Sequence, residues 1–78
     1  MEIRAKRDPI TRLMARRFLN ILGLSKECNL SYPTVHGVLI KGKNISIESA
    51  KIICEYFNVG FDEIFELVEK SNEPKSNN

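Results

Sequence analysis

The spacing that most constrains this fold lies in the segment ILGLSKECNLSYPTVHGVLI. Its first part has Leu24 and Cys28 four residues apart, and its second part has Val35 and Val38 three apart. These spacings place side chains on one face of a helix, so two short helices can each bury one apolar stripe against the other. Asn29 lies between them, where a left-handed turn favours glycine or asparagine. The pattern predicts a helix-turn-helix, a unit that presents its second helix to the major groove of DNA.

A further helix is predicted before this unit. Asp8 followed by Pro9 indicates a helix start, with a capping acceptor before proline at the first helical position. We expect this helix to extend to about residue 17. Its predicted inner stripe consists of Ile10, Leu13, Met14 and Phe18.

Polar residues mark the starts of the next helices. Asn20 is predicted to cap the second helix, and Ser31 the third, where Pro33 is tolerated in the first turn and Gly42 ends the helix. Ser46 is predicted to cap a fourth helix. The inner face of that fourth helix is predicted to be Ile47, Ala50, Cys54 and Phe57.

The predicted fold is all-α, a compact bundle of five short helices. The fifth helix is expected over residues 61–70, and because no stretch alternates with period two over a useful length, we expect no sheet. Residues 1–7 are predicted to be a flexible basic arm whose removal leaves the fold intact. Residues 8–70 are predicted to be the helix-turn-helix domain, and the polar residues 71–78 a disordered tail. A chain of 78 residues has room for one modest core.

The charges are divided unevenly along the chain. Residues 1–43 carry nine Lys or Arg against three acids, a net charge of +6, whereas residues 44–78 carry three Lys against seven acids, a net charge of −4. A basic half that coincides with the helix-turn-helix is the expected footprint of phosphate contact. We therefore expect the basic half to face double-stranded DNA and the acidic half to face away, or toward a regulatory protein partner.

Composition argues against other classes of protein. The sequence has no apolar run long enough to span a membrane and no signal peptide, so we expect a cytoplasmic protein. Cys28 and Cys54 lie on predicted inner faces without C-x-x-C spacing, which predicts buried, reduced thiols and neither a metal site nor a disulfide. One His and no nucleophile–base pair leave little for catalysis, so we expect no enzyme and no cofactor.

The order of these motifs resembles the Cro and lambda-repressor type of helix-turn-helix domain, often called the Xre family. In that family a first helix of the form L-x-x-L precedes a polar cap, the motif L-A-x-x-x-G-V-S, a recognition helix and G-K. The matching residues here are Ile10 and Leu13, Asn20, LSKECNLS, and Gly42-Lys43. The run SIESAKIICEYFNVGFDEIFEL is similar to the family's fourth and fifth helices, so the likeness covers roughly residues 9–68.

Three positions depart from the family pattern. Ile21 replaces a Gln that clamps a phosphate in the family, and Met14 replaces an Arg late in the first helix. One extra residue also lies between Val38 and Gly42, which lengthens the recognition helix or its exit loop. The phosphate contacts of the family therefore carry over only where a Lys or Arg lies nearby.

The resemblance implies base contacts from Tyr32, Pro33, His36 and Gly37, and a phosphate contact from Thr34. At 100° per residue, Tyr32 and His36 fall opposite the buried Val35. Tyr32 has a phenol and a ring that suits a thymine methyl, and His36 can donate to guanine. The alternatives are that Tyr32 only covers the rim of the core, that His36 is simply exposed, and that Gly37 is a tolerated flaw.

Candidate phosphate contacts surround this helix. Lys41, Lys43 and Asn44 follow it in the predicted exit loop, and Ser31 precedes it. Arg16 and Arg17 end the first helix, where cations also suit the helix dipole, so a purely structural role remains open for them. The arm contributes Arg4, Lys6 and Arg7, which resemble basic arms that follow a DNA backbone or enter a minor groove.

We therefore predict a sequence-specific transcriptional regulator, a Cro-like repressor that binds as a homodimer. The candidate dimer surface is Leu67 on the fifth helix, flanked by Tyr56. Too few residues follow position 70 for a sensor domain, so regulation is expected through concentration or a partner protein. Two alternatives stay open: a DNA-binding accessory factor of a mobile element's recombination or conjugation machinery, and an antitoxin-type module that binds a protein through its acidic half.

Overall fold

The computed structural model describes residues 1–69. In chain order its elements are β1 (Glu2–Ala5), α1 (Arg7–Arg16), α2 (Ile21–Cys28), α3 (Tyr32–Ile40), α4 (Ile47–Phe57), α5 (Phe61–Ile64) and β2 (Phe65–Val68). The five predicted helices are present, together with a small two-stranded sheet. Lys70 and the predicted disordered tail over residues 71–78 lie outside the described residues.

The helix-turn-helix of α2 and α3 forms as its local signals predicted. The Asn20 side chain accepts from the Gly23 backbone N–H at 2.7 Å, which caps α2. Asn29 ends that helix in the left-handed region at φ 58°, and the Leu30 N–H donates to the Ser25 carbonyl at 2.9 Å. These local bonds set the turn after which α3 packs against α2.

Helix α1 differs from its prediction at both ends. It begins at Arg7, with Lys6 at the N-cap and no side-chain cap, so Asp8 lies inside the first turn and does not cap the helix. Ile10 and Met14 are buried as expected. Phe18 is not: the helix ends at Arg16, and a left-handed turn at Phe18, with φ 57°, directs its ring away from the core and leaves it 97% exposed.

Helix α4 is capped by Ser46, whose hydroxyl accepts from the Ser49 N–H at 3.2 Å, and it ends at the left-handed Asn58. The Ser46 cap was predicted. The inner face of α4 was predicted less well, because Ile47 is exposed. Ile47 is the first residue of the helix and extends past the edge of the core. The buried residues of α4 are Ala50, Ile53, Cys54 and Phe57.

The sheet overturns two expectations, a flexible arm over residues 1–7 and a fifth helix that continues to residue 70. Strand β1 pairs antiparallel with β2, with Glu2 opposite Val68 and Ala5 opposite Phe65. The Lys6 N–H donates to the Ile64 carbonyl at 2.7 Å, where α5 ends and the chain becomes extended. The physical reason is a tertiary contact. β1 gives the backbone of β2 hydrogen-bonding partners, which an isolated segment of residues 61–70 would lack.

The core joins the motif and the sheet. Leu24 of α2 and Phe65 of β2 are both 0% exposed and belong to one buried cluster. Cys28 and Cys54 are free and buried, as predicted. Burial, and then the neighbouring Glu27, raises the pKa of the Cys28 thiol, while burial followed by Glu63 and Glu55 raises the pKa of Cys54. Within residues 1–69, no helix is long and apolar enough to cross a membrane.

Candidate nucleic-acid interface

The N-terminus of α3 is organised by two hydroxyl groups. The Ser31 hydroxyl accepts from the Thr34 backbone N–H at 3.3 Å and donates to the Thr34 hydroxyl at 2.7 Å. Because its oxygen accepts the Thr34 N–H, Ser31 acts as the cap of α3. The Ser31 oxygen takes part in two bonds and the Thr34 hydroxyl in one, so Thr34 has more hydrogen-bonding capacity left for a phosphate contact.

Tyr32 and His36 form a stacked pair on the outer face of α3. Their ring centroids are 5.6 Å apart with an interplanar angle of 30°. Tyr32 and Pro33 are exposed, and His36 is half-buried. The stack brings the phenol ring and the imidazole ring side by side on this helix.

Gly37 does not share that surface. It is buried, and a Cβ placed on it would lie 3.3 Å from Cδ of Lys43. The Lys43 side chain therefore lies over Gly37 and separates it from solvent. The predicted base contact of Gly37 is withdrawn for this reason. The missing side chain instead lets the loop after α3 fold back closely.

The exit loop presents the predicted polar residues. Lys41, Lys43 and Asn44 are all exposed. The Lys41 and Lys43 N–H groups both donate to the Gly37 carbonyl, at 3.1 and 3.0 Å, and Gly42 between them has φ 69°. The loop is therefore held against the last turn of α3, with two cations close to its C-terminal end.

The two arginines at the end of α1, both predicted phosphate contacts, lie in different surroundings. Arg17 donates from Nη1 to the Tyr56 carbonyl at 3.2 Å, and its guanidinium lies 4.9 Å from the centre of the Tyr56 ring. Arg16 borders a hollow between α1 and α5 that Glu63 also lines. Arg17 therefore makes the kind of structural contact that the sequence left open, and Arg16 is exposed beside α5.

The basic residues of the predicted arm separate into two groups. Arg4 forms an ion pair with Glu2 at 2.9 Å, and the Lys6 ammonium donates to the Asp62 carbonyl at 2.7 Å. Both contacts follow from the strand that replaced the expected arm. Arg7, the first residue of α1, is exposed and borders a groove that also contacts α3. Arg7 is therefore the arm residue that remains close to the recognition helix.

That groove, with a volume of about 500 Å³, was not foreseen from the sequence. It lies between α1, the start of α2, and α3, where Tyr32 and Ile40 form one side. Met14 and Ile21 also line it. Met14 and Ile21 are two of the positions at which the sequence departs from the family pattern. These two apolar replacements were the feature of the sequence that could have indicated the groove.

The predicted dimer residues lie in different settings from those expected. Leu67 is on strand β2 and not on a helix, and it is 58% exposed. Leu67 lies opposite Ile3. The Lys6 N–H bond to the Ile64 carbonyl makes that pair hydrogen-bonded, so by alternation the Ile3–Leu67 pair is not, and the backbone groups of Leu67 point toward the outer edge of the sheet. Tyr56 is half-buried and packs against Arg17 and Phe57.

Comparison with known proteins agrees with this geometry. The family model described as the Cro/C1-type HTH DNA-binding domain matches residues 10–70, and the chain belongs to this family. It is therefore a DNA-binding domain of the helix-turn-helix class. A similar solved structure is the crystal structure, form II, of the transcriptional regulator VanUg. It shares 28% identity at a TM-score of 0.68, over 88% of this chain and 92% of that one. No curated protein sequence matches.

Proposed function

We propose that the protein is a sequence-specific transcriptional repressor that acts in the cytoplasm and reads the major groove with α3. The observation that carries this proposal is the stacked Tyr32–His36 pair on the outer face of that helix. The Tyr32 phenol can donate to a base or phosphate, and His36 can donate to guanine N7 or O6. Pro33 supplies an apolar surface for a thymine methyl. Membership of a DNA-binding family supports the same assignment.

Phosphate contacts are proposed for the polar residues that remain available around α3. These are the hydroxyl of Thr34, the exit-loop residues Lys41, Lys43 and Asn44, and Arg7 beside the groove. Three cations per protomer give a dimer the means to neutralise about six phosphates. The logarithm of the binding constant should then fall against the logarithm of salt concentration with a slope near −5. A flat response would contradict the phosphate contacts.

We also propose that two copies bind DNA together through Leu67. One recognition helix covers only a few base pairs, which is too little to specify a site in a genome. Leu67 exposes its side chain, and its backbone groups point to the outer edge of β2, where a second copy can pair. Leu67→Glu should remove cooperative two-site binding in a gel-shift titration and leave the monomer folded. Unchanged cooperativity would place the dimer contact elsewhere.

Selection of bound sequences from a random DNA pool tests this function. The expected product is an inverted repeat whose half-sites lie about 10 base pairs apart, one helical turn, because a symmetric dimer presents two equivalent helices. A promoter carrying that site should lose reporter output when the protein is expressed. A pool without an enriched sequence would contradict specific reading. Tandem or bent sites would indicate instead an accessory factor of recombination.

A further inference from the structure

The groove beside α3 is apolar enough to be a docking site in its own right. Its volume of about 500 Å³ falls in the range of ligand and peptide pockets. Buried Met14 and Leu39 line it, together with the half-buried Ile21. Leu22 and Ile40 also line it, and both are exposed. Folding of this chain therefore leaves the groove only partly covered.

Phe18 extends from the turn that borders the groove. The Phe18 N–H donates to the Ala15 carbonyl at 3.1 Å, and the Leu19 N–H donates to the Met14 carbonyl at 2.9 Å. This bond pattern is the helix ending in which glycine normally takes the left-handed position. A phenylalanine there is disfavoured, and its ring is 97% exposed, so the described fold gains nothing from the ring. The aromatic side chain is explained if it contacts another molecule.

Charge decides which kind of molecule fits this surface. Arg7 is the charged residue among those that line the groove. Residues 7–40, which contain α1, α2 and α3, carry five Lys or Arg against two acids. A second copy that docks through the same basic face, groove against groove, would bring like charges together. DNA would satisfy the charge but leave the aliphatic lining unmatched. A protein segment that has apolar side chains flanked by Asp or Glu matches both features.

We propose that the groove and Phe18 dock an acidic amphipathic helix of a partner protein, and that this docking displaces DNA. Helices that bind grooves do so through an apolar face, with specificity from charges at the rim. The displacement rests on the proposed function, because it requires α3 to be the helix that reads DNA. Tyr32 and Ile40 lie at the groove and on the outer side of α3, so one surface cannot be covered by both occupants.

A synthetic peptide tests the docking step without DNA. The probe is a short helical peptide with Leu and Phe on one face and Glu on the other, compared with a shuffled peptide of the same composition. Fluorescence anisotropy should show binding at least about tenfold tighter for the amphipathic peptide. Phe18→Ser and Leu22→Ser should each reduce that preference about tenfold. Equal binding of the two peptides would overturn the proposal.

Ile47→Ser is the matched control. Ile47 is an apolar side chain on α4 with 65% exposure, and it does not line the groove. Its replacement removes a similar apolar surface without changing the proposed site, so peptide binding should be unchanged. Equal losses in the Ile47 and Phe18 variants would show non-specific adhesion and overturn the proposal.

A competition experiment then separates docking from DNA reading. The amphipathic peptide should displace a labelled duplex from the unaltered protein. The Phe18→Ser protein should keep its DNA affinity within about twofold and resist displacement. If Phe18→Ser loses DNA affinity as strongly as peptide affinity, the groove belongs to the DNA interface and the proposal is wrong. If the peptide binds but leaves the DNA complex intact, displacement is wrong, whereas base reading by α3 is judged separately from Tyr32→Ala and His36→Ala.

Discussion

The helix-turn-helix and the β1–β2 sheet are held together by contacts of different range. In α2 and α3, the caps and the turn are made between residues only a few positions apart, as in the bonds of Asn20 with Gly23 and Ser31 with Thr34. In the sheet, Glu2 pairs with Val68, from the other end of the described chain. The motif is therefore encoded locally, whereas the sheet exists only when the rest of the domain has folded.

Substitutions at two buried side chains test whether the helix-turn-helix and the sheet share one core. Phe65→Ala in β2 should lower the free energy of unfolding by about 3–5 kcal/mol, and Leu24→Ala in α2 by about 2–5 kcal/mol, because both side chains are fully buried. Chemical denaturation followed by circular dichroism measures both. A small effect at Phe65 alone would show that the sheet packs independently of the motif.

Removal of residues 1–5 tests the sheet directly. The loss of β1 leaves β2 unpaired, removes the bond between the Ile3 carbonyl and the Ile45 N–H, and uncovers apolar surface. We expect a loss of at least about 2 kcal/mol, or roughly 10 °C in melting temperature. Arg4→Ala, which removes only a surface ion pair, should change stability by less than about 1 kcal/mol. An unchanged melting temperature for the truncated protein would instead support the prediction that residues 1–7 are a flexible arm.

The difference in range also explains what the sequence could predict. Side-chain caps at Asn20, Ser31 and Ser46 and left-handed Asn29 are recognised from neighbouring residues, and the structure confirms all four. The sheet was missed because the alternation in β1 extends over only a few residues, and its partner strand β2 lies far away in the sequence. The fifth helix was predicted too long for the same reason.

The residues of the candidate interface also divide into those that nearby sequence could place and those that depend on distant contacts. Tyr32 and His36 were placed on the outer face of α3 by helical periodicity, and they lie there. The surroundings of Gly37 and Arg17 could not be predicted, because they depend on Lys43 and Tyr56, which are not their neighbours on a helix. The groove required the fold itself, since it joins side chains from three helices.

Substitution of a single helix cap measures how much a local interaction contributes to the free energy of unfolding. Ser31→Ala should destabilise the fold by about 1 kcal/mol, because the Thr34 N–H loses its acceptor at the start of α3. Thermal melting of the variant measures this loss, and Ser46→Ala is the matched control at the start of α4. If Ser31→Ala leaves stability unchanged while Ser46→Ala lowers it, the start of α3 is held by tertiary contacts.

Left-handed residues give the smallest expected changes. Phe18→Gly should raise the free energy of unfolding by up to about 1 kcal/mol, since it relieves the backbone of a residue whose ring is exposed. Asn29→Gly should be nearly neutral, because asparagine already tolerates this conformation. Urea denaturation measures both changes in the free energy of unfolding. Destabilisation by Phe18→Gly would show that the ring contributes to folding and would remove the reason to assign it to a partner.

The most direct test of the proposed recognition compares α3 with its exit loop on two duplexes, the selected site and a random sequence. Tyr32→Ala and His36→Ala should each weaken binding to the selected site by about 1–3 kcal/mol and have less effect on random DNA. Lys43→Ala should weaken both duplexes about equally, because a phosphate contact carries no sequence information. Equal losses on both duplexes for Tyr32→Ala and His36→Ala would contradict base reading by α3.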